Sequence, residues 1–334
     1  MSSALRTRPV GILGTGICLP EKVLTNKDLE KMVDTSDEWI RTRTGIVERR
    51  IADPDTPTSV LAEKAARMAL KNARIKAEDI GLIIVATVTP DMIFPATACL
   101  VQNRLGAISA AAFDLEAGCS GFIYGLVSGA QFVASGVYDY VLVIGAETLS
   151  RIVNWEDRNT CVLFGDGAGA VVIGPVPNGY GLLGIDLGSD GSGADLLDVP
   201  GGGSLNPATK YTVENKMHFL RMNGNEVFKF AVRIIGDSSI RALMSAGLKK
   251  EEIDFLIPHQ ANIRIIQAAV KRLKLSNDKV YVNLDRYGNT SAASVPIALH
   301  EAYEEGLIKK DSIIVLVAFG AGLTWGAAVI RWYE

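Results

Sequence analysis

The chain has 334 residues, 48% of them hydrophobic and 21% charged, with a net charge of −3 from 34 basic and 37 acidic side chains. High hydrophobicity with little net charge excludes a disordered chain, and the acidic balance gives no general basic face for nucleic acid. The length suggests about two domains, at roughly 100–200 residues each.

The first residues, through Gly16, carry Arg6 and Arg8 but no apolar core of a secretory signal. No run approaches the roughly 18–20 apolar residues of a membrane span; the longest, such as Tyr140–Ala146 and Ile313–Phe319, are strand-sized. The four cysteines (Cys18, Cys99, Cys119, Cys161) form no CxxC pair, and the histidines are His218, His259 and His300. Neither a zinc site nor a disulfide framework is expected. The expectation is a soluble cytoplasmic protein with free thiols and no membrane or nucleic-acid partner.

Runs of Val, Ile and Leu predict buried strands at Leu82–Val88, Tyr140–Gly145, Phe255–Pro258 and Ile313–Val317, alternating with helical patterns. That alternation argues for α/β layers. The chain also repeats itself. Ala69–Ile84 laid over Ala242–Ile257, a shift of 173, gives seven identities in sixteen positions. Asp139–Ala146 matches Asp311–Ala318, Phe164–Gly167 matches Phe319–Gly322, and Gly169–Ile173 matches Gly326–Ile330. Echoes in one order at similar spacing indicate a duplicated α/β unit. Two such copies pack about a pseudo-twofold axis, and a cleft at the join draws residues from both. Between them, Gly188–Met217 is rich in Gly, Ser and Pro and reads as a loop or cap insertion.

Ala111–Ala117 reads as a strand, followed by Gly118-Cys119-Ser120-Gly121 and a small-residue helix over Phe122–Ser135. Cys119 therefore sits at a helix start, where free amides and the helix dipole favour an anion. The dipole contributes only about 0.3–1 kcal/mol, so a base or cation is needed to hold a thiolate. By position alone Cys119 is either a nucleophile or a small core hydrophobe. His259 is the candidate base, at the carboxyl end of Phe255–Pro258 and before a helix over Ala261–Lys274. A strand Val280–Leu284 is predicted next. Then Gly288-Asn289-Thr290-Ser291 opens a helix over Ala292–Glu305, so Asn289 is set in the second half much as Cys119 is in the first. Asn, Thr and Ser are also good helix caps. Phe319–Gly326 is a glycine-rich turn between strands whose amides are available to an oxyanion. His218 and His300 look structural.

Six separated segments carry a resemblance: Asp37–Ile40 with Thr42–Ile46, Gly118–Gly121, Phe164–Ala170, Pro258–Asn262, Gly288–Ser291 and Phe319–Gly326. Together they resemble the β-ketoacyl-acyl-carrier-protein synthase III family of the thiolase superfamily, over nearly the whole chain. The resemblance implies a thiolase-like α/β fold with duplicated halves in a layered αβαβα arrangement, split at residues 1–178 and 179–334. It implies a catalytic set of Cys119, His259 and Asn289, with an oxyanion hole from the amides of Cys119 and Ala321; many relatives have glycine at the latter position. An acyl-CoA starter would acylate Cys119. Malonyl-acyl-carrier-protein would then lose carbon dioxide, and its enolate, held by His259 and Asn289, would attack the acyl-cysteine.

By the same resemblance, Trp39, Arg43 and Arg158 clasp the adenine end of coenzyme A, an arginine face on an indole being physically reasonable. Gly224 and Asn262 lie near the pantetheine arm. Lys229, Arg264 and Lys271 receive the acidic carrier protein, or are simply solvated helix positions. Phe164 walls the acyl pocket, and Phe94 reaches across a homodimer interface to close it. No cofactor or metal is implied. A starter enzyme of secondary metabolism, a thioesterase-like hydrolase and a non-catalytic carrier-protein partner remain as alternatives at this point.

Overall fold

Buried runs of β-branched residues form two mixed sheets in a computed structural model that describes residues 7–333. The outermost ends of the two expected halves, and part of the segment searched for a secretory signal, lie outside the described residues. The first sheet has the order Val10–Cys18, Asp166–Pro175, Tyr140–Thr148, Ile80–Ala86, Ala111–Leu115. The second has the order Gly181–Ser189, Thr324–Arg331, Ile313–Gly320, Phe255–Pro258. Strand directions agree as well: Ile80–Ala86 runs parallel to Tyr140–Thr148, as Phe255–Pro258 does to Ile313–Gly320. The other neighbours within these four-strand sets are antiparallel. The internal repeat read from the sequence is thus a repeat of topology.

Three apolar cores define the layers. The helix Thr58–Ala73 packs on the outer face of the first sheet, burying Leu61, Ala65 and Ala69 against Ile83, Leu142 and Val172. The helices Gly224–Ser245 and Ile263–Leu273 cover the outer face of the second, with Ile235 and Ala269 against Val315 and Val329. Between the sheets lie Gly121–Ala134 and Ser294–Glu304, whose Phe122, Leu126, Val295 and Leu299 touch strands of both. The stack is αβαβα, a thiolase-like fold. Helices in the middle layer must be apolar all round, and residues 291–300 are all buried. His300 is therefore a core residue, its Nδ1 2.8 Å from Thr15 Oγ1, rather than a member of an amphipathic face. Close approach of the second central helix needs Gly145, where a Cβ would lie 2.2 Å from Ala292 O.

Two expectations are corrected. No strand forms over 280–284: Val280 makes only an isolated parallel bridge to Leu256, and Leu284–Tyr287 is a helical turn. The reason is Gln260. Its side-chain amide donates to Tyr281 O at 3.2 Å and accepts from Asn283 N at 3.0 Å, taking backbone groups that a ladder would use. The insertion after Gly188 is not a plain loop. It holds the helical turn Gly191–Leu196, the strand Leu197–Asp198 paired with Arg221–Met222, and the helix Lys210–Glu214. Reciprocal backbone bonds between Asp190 and Leu323, 2.7 and 2.8 Å, fasten its start to the glycine-rich turn.

Candidate active site

Cys119 and Asn289 arrive by the same local route. Gly118 and Gly288 precede them with φ of 53° and 63°, a left-handed conformation that favours glycine. Each pair leads through a short 3₁₀ turn into a central helix, Gly118–Ser120 into Gly121–Ala134 and Ser291–Ala293 into Ser294–Glu304. Asn289 is tied back to the first half by its N–H to Leu163 O (2.8 Å) and by Gly165 N–H to its own carbonyl (3.0 Å). His259 follows the strand Phe255–Pro258, and its N–H donates to Val317 O at 2.8 Å.

All three side chains are buried, and all three line one small cavity of about 90 Å³ with Gly224, Asn262 and Phe319. Cys119 and Phe164 also wall a larger, mostly apolar cavity of about 410 Å³ with Val88, Leu149, Ile152 and Leu220. Ala321 and Gly118 line that cavity too. Cys119 thus stands between a narrow passage and a roomier chamber, both lined mostly by apolar surface. Leu197, Asp198 and Val199 of the insertion form part of the chamber wall.

The hydrogen bonds orient the polar groups. Asn289 Oδ1 accepts from Ser291 N–H at 2.8 Å, which leaves its NH₂ free to donate. His259 Nδ1 lies 2.6 Å from Ser294 Oγ, and Gln260 N–H approaches the same oxygen at 3.4 Å. In the tautomer in which the Ser294 hydroxyl donates to Nδ1, the imidazole proton sits on Nε2. Phe319 packs edge-on to the ring at 5.4 Å. In that tautomer both side chains present N–H donors.

Burial sets the charges. It drives His259 down to about 3, so the ring is neutral near neutral pH. Desolvation lowers the basicity of His259, and its Nδ1 faces the Ser294 hydroxyl. Burial also pushes the Cys119 thiol up to about 12, with Ser291 opposing and the Glu147 carboxylate adding to the rise. At about 1.4 kcal/mol per pKa unit, a dipole of about 0.3–1 kcal/mol does not reverse this. Burial thus favours the thiol form of Cys119.

The remaining sequence-selected residues fall into three groups. Trp39 and Arg43 border a surface groove of about 350 Å³ with Ser36, Glu38 and Thr42. Arg158 stacks over the Trp39 ring at 4.7 Å, and Asn262 Nδ2 donates to Arg43 O at 3.1 Å, joining groove to passage. Lys229, Arg264 and Lys271 are exposed on the two helices outside the second sheet. Lys229 pairs with Glu226 at 2.7 Å, and Arg264 stacks on Phe228, a residue of the small cavity. Phe94 is 82% exposed and absent from the walls of either cavity. Among the described residues no three His, Cys, Asp or Glu side chains are grouped to hold a metal ion.

Sequence reasoning passed over Glu147, Ser294 and the wall residues Leu197 and Leu220. Glu147 had a signal: a carboxylate closing an otherwise apolar strand. Ser294 had none without the fold.

Comparison with known proteins decides the family. Models described as 3-oxoacyl-[acyl-carrier-protein (ACP)] synthase III and its C-terminal part match residues 113–191 and 243–332. A β-ketoacyl-[acyl-carrier-protein] synthase III of Caldanaerobacter subterraneus subsp. tengcongensis is 66% identical over 322 residues, covering 96% of this chain and 97% of its own. The chain belongs to the β-ketoacyl-[acyl-carrier-protein] synthase III family. It is thereby an acyltransferase-type condensing enzyme. A relative of that name from Clostridioides difficile is 59% identical over 96% of this chain and 98% of its own. The crystal structure of 3-oxoacyl-[acyl-carrier-protein] synthase III from Aquifex aeolicus superposes with a TM-score of 0.90 at 50% identity, covering 97% and 100% of the two chains. The priming β-ketosynthase of the R1128 polyketide pathway superposes at 0.92 with 34% identity, covering 98% of each.

Proposed function

We propose that this enzyme joins an acyl-CoA starter to malonyl-acyl-carrier-protein by decarboxylative Claisen condensation, the first carbon–carbon bond of type II fatty acid synthesis. One observation carries the residue assignment: Cys119, His259 and Asn289, drawn from opposite halves, are all buried and line one narrow passage. Cys119 takes the acyl group, and its chain occupies the apolar chamber walled by Phe164. The amides of Cys119 and Ala321 receive the tetrahedral oxyanion. The malonyl thioester oxygen lies against His259 Nε2–H and Asn289 Nδ2–H. As carbon dioxide leaves, these donors meet the enolate's charge without a counter-cation, and water exclusion strengthens them. The enolate carbon attacks the acyl-cysteine, the C–S bond breaks, and the β-ketoacyl carrier protein departs. No step passes through a cofactor or metal.

Trp39, Arg43 and Arg158 hold the adenine end, and Gly224 and Asn262 flank the pantetheine arm. Lys229, Arg264 and Lys271 receive the carrier protein; the stacking of Arg264 on cavity residue Phe228 supports a docking face beside the passage. We infer a homodimer. Met92, Ile93 and Phe94 are exposed together, and Ala111–Leu115 ends the first sheet; a bare edge beside an apolar patch favours a partner. Phe94 then reaches the partner's chamber. We also infer a boundary between the halves at residue 178, supported by sheet strands that span 10–175 and 181–331. A cytoplasmic setting is consistent with four free cysteines, and no helix among the described residues is long and apolar enough to cross a membrane.

Incubation with acetyl-CoA and malonyl-acyl-carrier-protein, read by product mass, tests the reaction. A β-ketoacyl carrier protein is expected. Free acid would indicate a hydrolase, and no turnover a binding role. Cys119→Ala abolishes condensation; full activity in that variant refutes the nucleophile.

A further inference from the structure

The acylation step leaves a proton without an owner. Cys119 rests as a thiol, and His259 has its Nδ1 engaged by Ser294, so neither group explains where the sulfur's proton goes. Beneath the site lies Glu147, fully buried at the end of the strand Tyr140–Thr148. Its two oxygens are unequally loaded. Oε2 accepts from Thr89 Oγ1 (2.7 Å), Val88 N (3.1 Å) and Thr87 Oγ1 (3.2 Å), whereas Oε1 has only a 3.3 Å share of the Val88 N–H. Ser291 opens the turn that packs against both the strand Tyr140–Thr148 and the turn Gly118–Ser120, and it shares the chamber wall with Cys119. Its hydroxyl is buried with no hydrogen-bond partner, and it opposes the upward pKa shifts of both Cys119 and Glu147. Its φ of 49° is uncommon for a residue with a Cβ, and such strain clusters at functional sites.

We propose that Glu147 stores the thiol proton of Cys119, passed through the Ser291 hydroxyl, while Cys119 carries the acyl group. The S–H bond breaks as Ser291 Oγ gains that proton and gives its own to a Glu147 oxygen. The thiolate attacks the thioester carbonyl, the carbon–sulfur bond to coenzyme A breaks, and the coenzyme leaves as a thiolate that solvent protonates. After condensation the departing Cys119 thiolate takes the proton back along the same route, restoring the thiol and the carboxylate. Glu147 acts through Ser291 and is a positioning residue, not one that touches substrate. The scheme rests on the acyl-cysteine reaction proposed above.

The surroundings leave Cys119 as the titrating partner. The loop after Ile80–Ala86 offers Glu147 hydroxyls and an amide. Across the sheet Glu147 stands opposite Gly167. The neighbouring Asp166 is bound by Ala52 and Ser150. Glu116, on the rim of the chamber, is exposed. Burial raises the Glu147 carboxyl to about 7. Below that pH it is already protonated and takes no further proton; above it the carboxylate accepts one. Acylation therefore speeds up as pH rises through neutrality.

The test is single-turnover acylation of the full chain by acetyl-CoA, followed by intact mass across that pH range. Glu147→Gln keeps an amide oxygen as acceptor but cannot take a proton. It is expected to slow acylation about 10²-fold, the low end for proton transfer, and to flatten the pH profile. Ser291→Ala cuts the relay with Glu147 intact and flattens it likewise. A purely structural role would leave the profile's shape alone, so either variant acylating with the wild-type profile overturns the proposal. Should both variants misfold, wild-type difference infrared spectra decide: acylation must bring up a protonated carboxyl band, and its absence overturns the relay. Wild-type protein that takes no acyl group at any pH sinks the parent reaction instead.

Discussion

Gly320→Ala should disable the enzyme from the far side of its nucleophile. A Cβ on Gly320 would lie 2.4 Å from Cys119 N and 3.1 Å from its Cα. Real Cβ contacts stay beyond 3.0 Å, so the backbones must separate by at least about 0.6 Å, and by about 1 Å to reach ordinary van der Waals contact. Neither side yields easily. Gly320 closes the ladder between Ile313–Gly320 and Thr324–Arg331, opposite Thr324. That threonine's hydroxyl binds Ala117 O at 2.8 Å and Ser120 Oγ at 2.7 Å, clamping the nucleophile turn to the hairpin. Overpacking of this kind costs about 1–3 kcal/mol. A shift near 1 Å at the attacking atom costs about 10²-fold in rate. Acylation by acetyl-CoA, read by intact mass beside a thermal melt, should show both losses. Gly203→Ala, whose Cβ meets nothing within 4 Å, serves as the control and should show neither. A Gly320→Ala enzyme that acylates at the wild-type rate with an unchanged melt would refute the close-contact reasoning.

Asn289→Ala removes one of the proposed enolate donors but leaves the thiol and the proposed oxyanion amides. It should slow malonyl decarboxylation by about 10²–10³-fold, the usual loss for one such donor, and slow acylation of Cys119 much less; equal loss in both half-reactions contradicts the assignment. Trp39→Ala removes the surface on which Arg158 stacks at 4.7 Å. An aromatic–arginine contact of about 0.5–2 kcal/mol implies a KM for acyl-CoA raised about 2- to 30-fold, with the KM for malonyl-acyl-carrier-protein unmoved. A rise in both constants would assign Trp39 to folding rather than to the nucleotide.

Much of this was legible in the chain itself. Buried β-branched runs announced the inner strands of both sheets but not the edge strands Val10–Cys18 and Gly181–Ser189, and the echo at 172–173 residues announced their shared order. Cys119 and Asn289 were legible because each follows a glycine and opens a helix, a pattern set by backbone conformation and so visible locally. The strand expected at 280–284 failed because its hydrogen-bond partners belong to Gln260, a side chain about twenty residues upstream. Local propensity carries no trace of such a competitor. Glu147 did carry a signal, a carboxylate near the end of an apolar strand, but only the fold brings Thr87, Val88 and Thr89 to it. The same holds for Leu197, which reaches the chamber wall because its strand pairs with Arg221–Met222.

Duplication explains where the site lies, and burial explains what it does there. Two copies of one turn meet at the molecular centre, so whatever residue follows each left-handed glycine faces the join. One copy supplies sulfur and the other a carboxamide. Deep burial then favours the uncharged form of each titratable group: the imidazole loses its basicity and the thiol its acidity. An uncharged site has no fixed cation to bind the malonyl carboxylate in its ground state. In the proposed reaction its N–H donors aim at the thioester oxygen, where charge appears only after carbon dioxide has gone. That asymmetry favours decarboxylation over tighter binding of the reactant, the condition for a faster chemical step. The same burial strands the thiol's proton, which is why the buried Glu147 carboxylate has mechanistic meaning in the proposed relay and would be only a liability in a site open to water.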